Sequence, residues 1–374
     1  MRKIYLDYNA STPIAAEVAA AMQPFINGNF GNPSSGHWAS EFVKPAIDRA
    51  RGQIADTIGS KASEIVFTSS GTEASNLAIK GLFFKNWGKP FHIITSAVEH
   101  AATLAPCRFV ESLGAELSVL PVDEYGRVDP GEVEKAIRPS TKLVSIMHAQ
   151  NEIGTVQPIS EIGKIARSYG VCMHVDAAQS LGKIAVDVND LNADLLSITG
   201  QKIYAPKGVG ALFVRDGVEL SPLLHGPSAH EGGLRSGTES ALLNVALGTA
   251  CSMLGDMKSN DLVRIQELRD RFYEGLLDMF GKRIRLNGHT CERLPNTLNV
   301  SFCGKQGYDL LGRIPNIAAS TGSACHSGSS GISPTLAALG VPKEWAQGAI
   351  RFSLGRGSSL RDVDEVLELL ANIA

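Results

Sequence analysis

Between residues 65 and 214, short apolar runs of strand length alternate with segments of helical character, and this alternation constrains the fold more than any other feature. The apolar runs lie near 65–69, 91–96, 115–120, 142–147, 171–175, 194–199 and 209–214. A helix over 40–58, with Pro45 in its first turn, precedes them, and further helices lie near 71–84, 103–113, 130–138 and 158–169. Repeated βα units form a mostly parallel sheet with helices on both faces. The sequence therefore predicts an α/β fold with a mainly parallel central sheet.

The pattern changes after about residue 250. A charged helical stretch over 257–279 is followed by short strands near 297–302 and 349–354, helices near 334–347 and a closing amphipathic helix from Leu360. This mixture is typical of a smaller α+β domain. We assign residues 13–250 to a large domain, and residues 1–12 and 251–374 to the small domain.

Composition excludes several classes of protein. The 374 residues are 44% hydrophobic and 20% charged, with a formal net charge of -3, which does not favour a general nucleic-acid or membrane-surface binder. No apolar run reaches membrane-spanning length, and the first residues lack the apolar region of a signal peptide, so we expect a cytoplasmic protein. The six cysteines are scattered without a C-x-x-C pair, which indicates reduced thiols and neither a metal site nor a disulfide framework.

Lys202 follows the apolar run 194–199 at the point where a strand should end. A lysine in a partly desolvated pocket loses its proton more easily, and the free amine can form a Schiff base with an aldehyde. A solvated loop lysine fits the same pattern. Asp176 lies about one βα step upstream, also at a strand end, where it could pair with a protonated pyridine nitrogen or cap a helix beginning at Ala177. Together the two residues favour a pyridoxal phosphate site.

The segment after the strand near 65–69 is a candidate phosphate site. Gly71 lets the backbone approach an anion closely, Thr72 offers a hydroxyl, and the N-terminus of the next helix presents free N–H groups. A capped turn is the alternative interpretation. Thr199, just before Lys202, could supply a second hydroxyl.

Three further residues suit the same site. His100 could stack on a flat ring and move protons near neutral pH, although a single loop histidine can also be merely solvated. Asn151 follows another strand and could donate a hydrogen bond to the cofactor's phenolic oxygen. Arg351 lies in the alternating run 350–356 and could bind a substrate carboxylate through two parallel hydrogen bonds, or form an ordinary surface ion pair.

Cys325 is the second candidate reactive group. It lies in the segment 319–331, which is rich in serine, glycine and alanine, and these neighbours cannot bury a thiol well. The other five cysteines lie among apolar or ordinary helical neighbours, where a thiol normally behaves as a small hydrophobic group. We therefore expect Cys325 on an accessible loop.

These segments closely resemble the pyridoxal-phosphate-dependent cysteine desulfurases of the class V aminotransferase superfamily, over almost the full chain. The residues that carry the resemblance are 5–12 (YLDYNAST), 31–35 (GNPSS), 99–100 (EH), 151–155 (NEIGT), 174–179 (HVDAAQ), 234–239 (LRSGTE) and 322–325 (GSAC).

The resemblance implies a fold-type-I homodimer that converts L-cysteine to L-alanine and transfers the sulfur to an acceptor protein, in iron–sulfur cluster assembly or thiolation. It also implies a role for each candidate residue. Lys202 would bind the cofactor's aldehyde, Asp176 its ring nitrogen, Gln179 its phenolic oxygen, and Thr72 and Thr199 its phosphate, while Thr238 would reach the phosphate of the neighbouring subunit. His100 would lie over the ring, Arg351 would bind the substrate carboxylate, and Cys325 would accept the sulfur as a persulfide.

The sequence departs from the family pattern in the lysine loop. The family usually has histidine before the cofactor lysine and glycine before the following proline, whereas this chain has Gln201 and Ala205. Glutamine can donate a hydrogen bond to phosphate but cannot carry a positive charge. With His326 directly after the cysteine, the sequence at this point is similar to that of the closely related selenocysteine lyases. L-Selenocysteine is therefore an alternative substrate, and a class V aminotransferase is an alternative activity.

Overall fold

The structure is a computed structural model that describes residues 2–256, 259–321 and 332–373. The strands are β1 (Ile4–Tyr5), β2 (Ile65–Thr68), β3 (His92–Ser96), β4 (Glu116–Leu120), β5 (Thr141–Met147), β6 (Cys172–Asp176), β7 (Leu195–Thr199), β8 (Gly210–Val214), β9 (Ile284–Leu286), β10 (Thr297–Phe302), β11 (Ile317–Ala318) and β12 (Ala349–Ser353). The helices are α1 (Ala16–Asn27), α2 (Val43–Ile58), α3 (Gly71–Lys85), α4 (Ala101–Ser112), α5 (Pro130–Ala136), α6 (Ile159–Ser168), α7 (Ala241–Asp256), α8 (Ser259–Phe280), α9 (Gly307–Gly312), α10 (Pro334–Ala338), α11 (Lys343–Ala346) and α12 (Leu360–Ala371).

Seven strands form the central sheet, in the spatial order β2-β8-β7-β6-β5-β3-β4. Strand β8 runs antiparallel to both of its neighbours, and the pairs from β7 to β4 are parallel. Each predicted apolar run from 65 to 214 forms one of these strands, with ends displaced by one residue at most. The predicted α/β fold with a mainly parallel sheet is therefore confirmed.

Helices bury both faces of this sheet. Leu143 and Val144, adjacent on β5, belong to different hydrophobic clusters because successive side chains of a strand point to opposite faces. Helices α2 and α7 pack against each other on the face of Val144, and a Cβ added to Gly248 would lie 2.5 Å from the Ala50 Cα. Glycine at 248 thus permits this close helix contact. The sequence pattern predicted neither α7 nor α1.

A second hydrophobic cluster surrounds the three-stranded antiparallel sheet β12-β10-β9. Phe272 of α8 and Phe352 of β12 are fully buried in it, with ring centroids 4.9 Å apart. The predicted helices near 334–347 are α10 and α11, two short helices. Gly340 lies between them with a φ of +68°, a conformation that ends a helix. Pro342 directly precedes α11 and so marks where the next helix begins.

The N-terminal segment connects the two clusters. Ile4 and Leu6 are buried in the second cluster, and β1 pairs with β11. A few residues later, the Thr12 N–H donates to the Gln201 carbonyl, which belongs to the loop after β7. The division at residues 12 and 250 stays a prediction. Within the described residues, no helix is both long enough and apolar enough to span a membrane.

We expect Phe272→Ala to lower the free energy of unfolding by about 3–5 kcal/mol, because it leaves a cavity beside Phe352 in a closely packed core. Chemical denaturation followed by circular dichroism measures this loss. The matched control is Tyr308→Ala, whose side chain is 77% exposed and should change stability by about 0.5 kcal/mol at most. Equal losses in the two variants would contradict the packing described for the second cluster.

Candidate active site

The candidate site lies at the carboxyl edge of the central sheet. Strands β3, β5, β6 and β7 are parallel neighbours, so the loops that follow them meet at this edge, where open α/β sheets bind ligands. A cavity of about 810 Å³ opens there. Ten of the predicted site residues line it: Gly71, Thr72, His100, Asn151, Asp176, Gln179, Thr199, Gln201, Lys202 and Arg351.

Lys202 is held in a short 3₁₀ turn directly after β7. Its Nζ donates to the carbonyls of Asn9 at 2.7 Å and Ala10 at 2.5 Å. Burial lowers the pKa of Lys202 to about 8, the positive charge of Arg351 adds to this, and the carboxylates of Asp7 and Asp176 oppose it. A substantial fraction of the amine is therefore neutral near physiological pH, and the solvated-loop interpretation is wrong.

Asp176 is the last residue of β6 and is 6% exposed. Burial raises its pKa, whereas the Ala178 N–H, His100 and Lys202 favour the charged form. Its Oδ1 accepts from the Ala178 N–H at 2.9 Å, but residues 177–180 form turns and no helix begins there. The helix-cap interpretation is wrong, and Asp176 faces the cavity as a buried carboxylate.

The N-terminus of α3 reaches the cavity at Gly71 and Thr72. Ser70 caps this helix by accepting from the Glu73 N–H at 3.1 Å. A Cβ added to Gly71 would lie 3.0 Å from the Thr199 Cβ, so glycine lets the helix start lie directly against the end of β7. The first N–H groups of α3 and the two threonine hydroxyls therefore surround one corner of the cavity, an arrangement suited to an anion.

His100 and Glu99 follow β3. The His100 Nδ1 accepts from the Ala102 N–H at 3.1 Å and so caps α4, while the residue lines the cavity. The Glu99 carboxylate accepts from the Ser96 hydroxyl at 2.6 Å and from the Met147 N–H at 3.0 Å. Burial raises the pKa of Glu99 to about 8. These contacts join the ends of β3 and β5 and hold the loop that carries His100.

Arg351 enters the cavity from β12 of the small sheet and is 7% exposed. Its Nη2 donates to the Asp7 carboxylate at 2.7 Å, and its Nη1 donates to the Asn151 carbonyl at 3.0 Å. The buried Nε has no hydrogen-bond partner among the described residues. The surface ion-pair interpretation is wrong because the guanidinium is buried.

One predicted residue lines a different cavity, and another is not among the described residues. Thr238 lines a separate cavity of about 170 Å³, together with Ser69 and Arg235. Cys325 lies outside the described residues. Ser320 and Pro334, which precede and follow the 322–331 segment, both line the main cavity.

The sequence patterns did not single out Asp7 and Asn9 as site residues. The N-terminal segment places both against the cavity, and Asn9 is only 1% exposed. The available signal was the motif 5–12, in which polar residues interrupt an apolar start. Glu99 carried a similar signal, since it directly precedes His100.

These groups fit pyridoxal phosphate, which carries an aldehyde, a phosphate, a ring nitrogen and a phenolic oxygen. A partly neutral lysine, a helix N-terminus, a buried carboxylate and the Gln179 amide offer one partner for each. The sheet topology and this set of groups define the fold-type-I class of pyridoxal-phosphate-dependent enzymes.

Comparison with known proteins defines the family. The Aminotransferase class-V family matches residues 4–366. The chain is 46% identical over 374 residues to the cysteine desulfurase IscS of Dictyoglomus turgidum, covering 100% of this chain and 94% of the relative. It is also 46% identical to the cysteine desulfurase IscS of Methanosarcina thermophila, again over 100% of this chain and 92% of the relative.

Two solved structures superpose closely on this chain. A NifS-like protein superposes with a TM-score of 0.93 at 33% identity, covering 99% of each chain. The structure of SspA in complex with cysteine superposes with a TM-score of 0.83 at 40% identity, covering 94% of this chain and 98% of that one. The chain therefore belongs to the cysteine desulfurases of the class V aminotransferase family.

We expect the Lys202 amine to reach half of its maximal reactivity near pH 8 in the cofactor-free protein. An acylating reagent modifies the neutral amine, so labelling should rise as the pH rises through this value, and peptide mass spectrometry measures it. Exposed lysines, which ordinarily titrate near about 10.4, provide the internal reference. Labelling of Lys202 in parallel with those lysines would show that burial does not lower its pKa.

Proposed function

We propose that this cysteine desulfurase uses pyridoxal phosphate to remove sulfur from L-cysteine, releasing L-alanine and leaving a persulfide on Cys325. The observation that carries the proposal is the convergence of Lys202, Asp176 and Arg351 on one cavity, lined also by the residues that flank the segment of Cys325. The similarity to cysteine desulfurases and to the structure of SspA in complex with cysteine supports the substrate class.

Groups from five strand ends, those of β2, β3, β5, β6 and β7, would hold the cofactor. Lys202 would bond to its aldehyde carbon, Asp176 would pair with its ring nitrogen, and the N-terminus of α3 with Thr72 and Thr199 would hold its phosphate. His100 would stack on its ring, Gln179 and Asn151 would donate toward its phenolic oxygen, and Gln201 would reach its phosphate as a neutral donor. When bound, pyridoxal phosphate supplies an electron-withdrawing ring that stabilises negative charge on the substrate α-carbon.

Arg351 and Lys202 act on the substrate. The substrate carboxylate accepts from the Arg351 guanidinium, whose Nη2 can exchange the Asp7 carboxylate for that of the ligand. The neutral Lys202 amine removes the α-proton and holds it on Nζ, which the pKa of about 8 permits near neutral pH.

The sulfur transfer consumes the Cys325 thiolate. This thiolate attacks the sulfur of the substrate, a sulfur–sulfur bond forms, and the carbon–sulfur bond breaks with its electron pair going to carbon. Protonation of that carbon completes the balance, in which L-cysteine and a protein thiol give L-alanine and a protein persulfide. No external oxidant or reductant is needed. A thiol with a pKa of about 8.5 is only partly ionised at pH 7, so the reaction depends on the thiolate fraction.

The persulfide is an intermediate for transfer, and an acceptor protein completes the cycle. L-Selenocysteine is the alternative substrate and a class V aminotransferase is the alternative activity. An aminotransferase would produce a keto acid and would not need Cys325. Measuring L-alanine and sulfide from L-cysteine, with and without a reductant, distinguishes these activities.

We expect Cys325→Ser to retain the yellow cofactor and to bind L-cysteine, but to form almost no L-alanine and no protein persulfide. A serine hydroxyl is far less acidic than a thiol and cannot hold a persulfide. Mass spectrometry after one turnover should locate the added sulfur on the peptide containing Cys325. The matched control is Cys303→Ser, which removes an exposed cysteine and should leave turnover unchanged. Turnover by Cys325→Ser at the wild-type rate would rule out this acceptor.

We also propose a homodimer in which Thr238 contacts the cofactor phosphate of the partner. Thr238 lines a cavity other than the one that holds Lys202 in its own chain, which supports this arrangement. We expect one dimeric species and no active monomer in sedimentation velocity experiments combined with activity measurements. Full activity in a monomeric fraction would contradict the composite site.

A further inference from the structure

A second lysine, Lys183, lies behind the cavity. Its Nζ donates to the Gln179 Oε1 at 2.7 Å and to the Asn9 Oδ1 at 3.1 Å. Burial lowers the pKa of Lys183 well below its usual value, and the positive charges of Lys202 and Arg351 act in the same direction. A buried lysine costs stability unless its hydrogen bonds offset the loss of water. The Gln179 and Asn9 side-chain oxygens supply these hydrogen bonds, so Lys183 and the two side chains hold one another in place.

Lys183 determines which end of the Gln179 amide faces the cavity. The Lys183 Nζ donates to the Gln179 Oε1, so the Gln179 side chain presents its carbonyl oxygen to Lys183. The amide NH₂ then points the other way and donates to the Asn9 carbonyl at 2.9 Å. That carbonyl also accepts from the Lys202 Nζ, so the Gln179 NH₂ lies on the Lys202 side of the residue.

Asn9 stabilises the same arrangement from the N-terminal segment. Its Oδ1 accepts from Lys183 and, at 3.0 Å, from the Asn296 Nδ2. Its Nδ2 donates to the Thr297 hydroxyl at 2.8 Å. Because both ends of the Asn9 side chain are engaged, Asn9 cannot rotate to replace Lys183 as the partner of Gln179.

We infer that Lys183 is a positioning residue that fixes the Gln179 amide with its NH₂ group toward the cavity, as a donor to the anionic oxygen on the ring of bound pyridoxal phosphate. The inference rests on the proposed cofactor site. If the amide rotated by a half turn, its carbonyl oxygen would face the cofactor oxygen, and two acceptors would repel each other. Lys183 prevents this rotation without contacting the cofactor.

The test measures equilibrium binding of pyridoxal phosphate to the cofactor-free protein, by absorbance and by borohydride trapping. We expect Lys183→Met, which keeps the length of the side chain but removes its donors, to weaken binding about tenfold to a hundredfold, the range for losing a hydrogen bond to a charged group. Lys183→Arg, which restores a donor at this position, should restore part of this loss. Lys207→Met is the matched control, because exposed Lys207 also acts electrostatically on Lys202. Lys207→Met should bind pyridoxal phosphate with wild-type affinity.

A double-mutant cycle separates positioning from a general structural effect. In a Gln179→Ala background, Lys183→Met should cause little further loss of affinity, because the amide that it orients is absent. Equal losses in both backgrounds, or wild-type affinity of Lys183→Met, would overturn the inference.

If Lys183→Met does not fold, Gln179→Glu provides the test, since the carboxylate keeps an acceptor for Lys183, removes the far-side donor and adds a negative charge toward the anionic oxygen. The affinity of Gln179→Glu for pyridoxal phosphate should fall, and wild-type affinity would overturn the inference.

Measuring cofactor affinity tests this inference separately from the proposed reaction. A wild type that binds the cofactor but makes no L-alanine would refute the reaction alone, whereas normal turnover with wild-type affinity of Lys183→Met would refute the inference alone.

Discussion

The burial of charge around Lys202 is the constraint on which the rest of the site depends. Each buried ion costs several kcal/mol unless partners replace its water. Here Lys202 and the guanidinium of Arg351 line the same cavity, Lys183 is buried behind it, and two backbone carbonyls accept from Lys202. Burial is the largest cause that lowers the pKa of Lys202 to about 8, and the positive charge of Arg351 acts in the same direction. The neutral amine that the chemistry requires is thus a consequence of packing.

This arrangement needs both hydrophobic cores. The central sheet positions Lys202 and Asp176, and the small sheet positions Arg351 through pairing of β12 with β10. The N-terminal segment lies between them and supplies the carboxylate of Asp7 and the carbonyl of Asn9. A shift of one core against the other would therefore change the pKa of Lys202 and the orientation of Arg351 together.

Most of the candidate site could be predicted from strand ends alone. Lys202, Asp176, His100 and Asn151 each follow an apolar run, and parallel strands place the residues that follow them at one edge. Lys183 could not be found in this way, because its role depends on Gln179 and on Asn9, which is 174 residues away along the chain. The helix-cap interpretation of Asp176 failed because a short turn satisfies the same local pattern.

By itself, the sequence determined the seven strands of the central sheet, the helices α3 to α6 between them, the mainly parallel pairing and the identity of the residues at the carboxyl edge of the sheet. These features follow from local periodicity and chain order, which are properties of neighbouring residues. The tertiary structure decided how deeply Lys202 is buried, which carboxylate pairs with Arg351 and which end of the Gln179 amide faces the cavity. Burial and hydrogen-bond partners depend on segments far apart in the chain, so only packing of the whole fold could specify them.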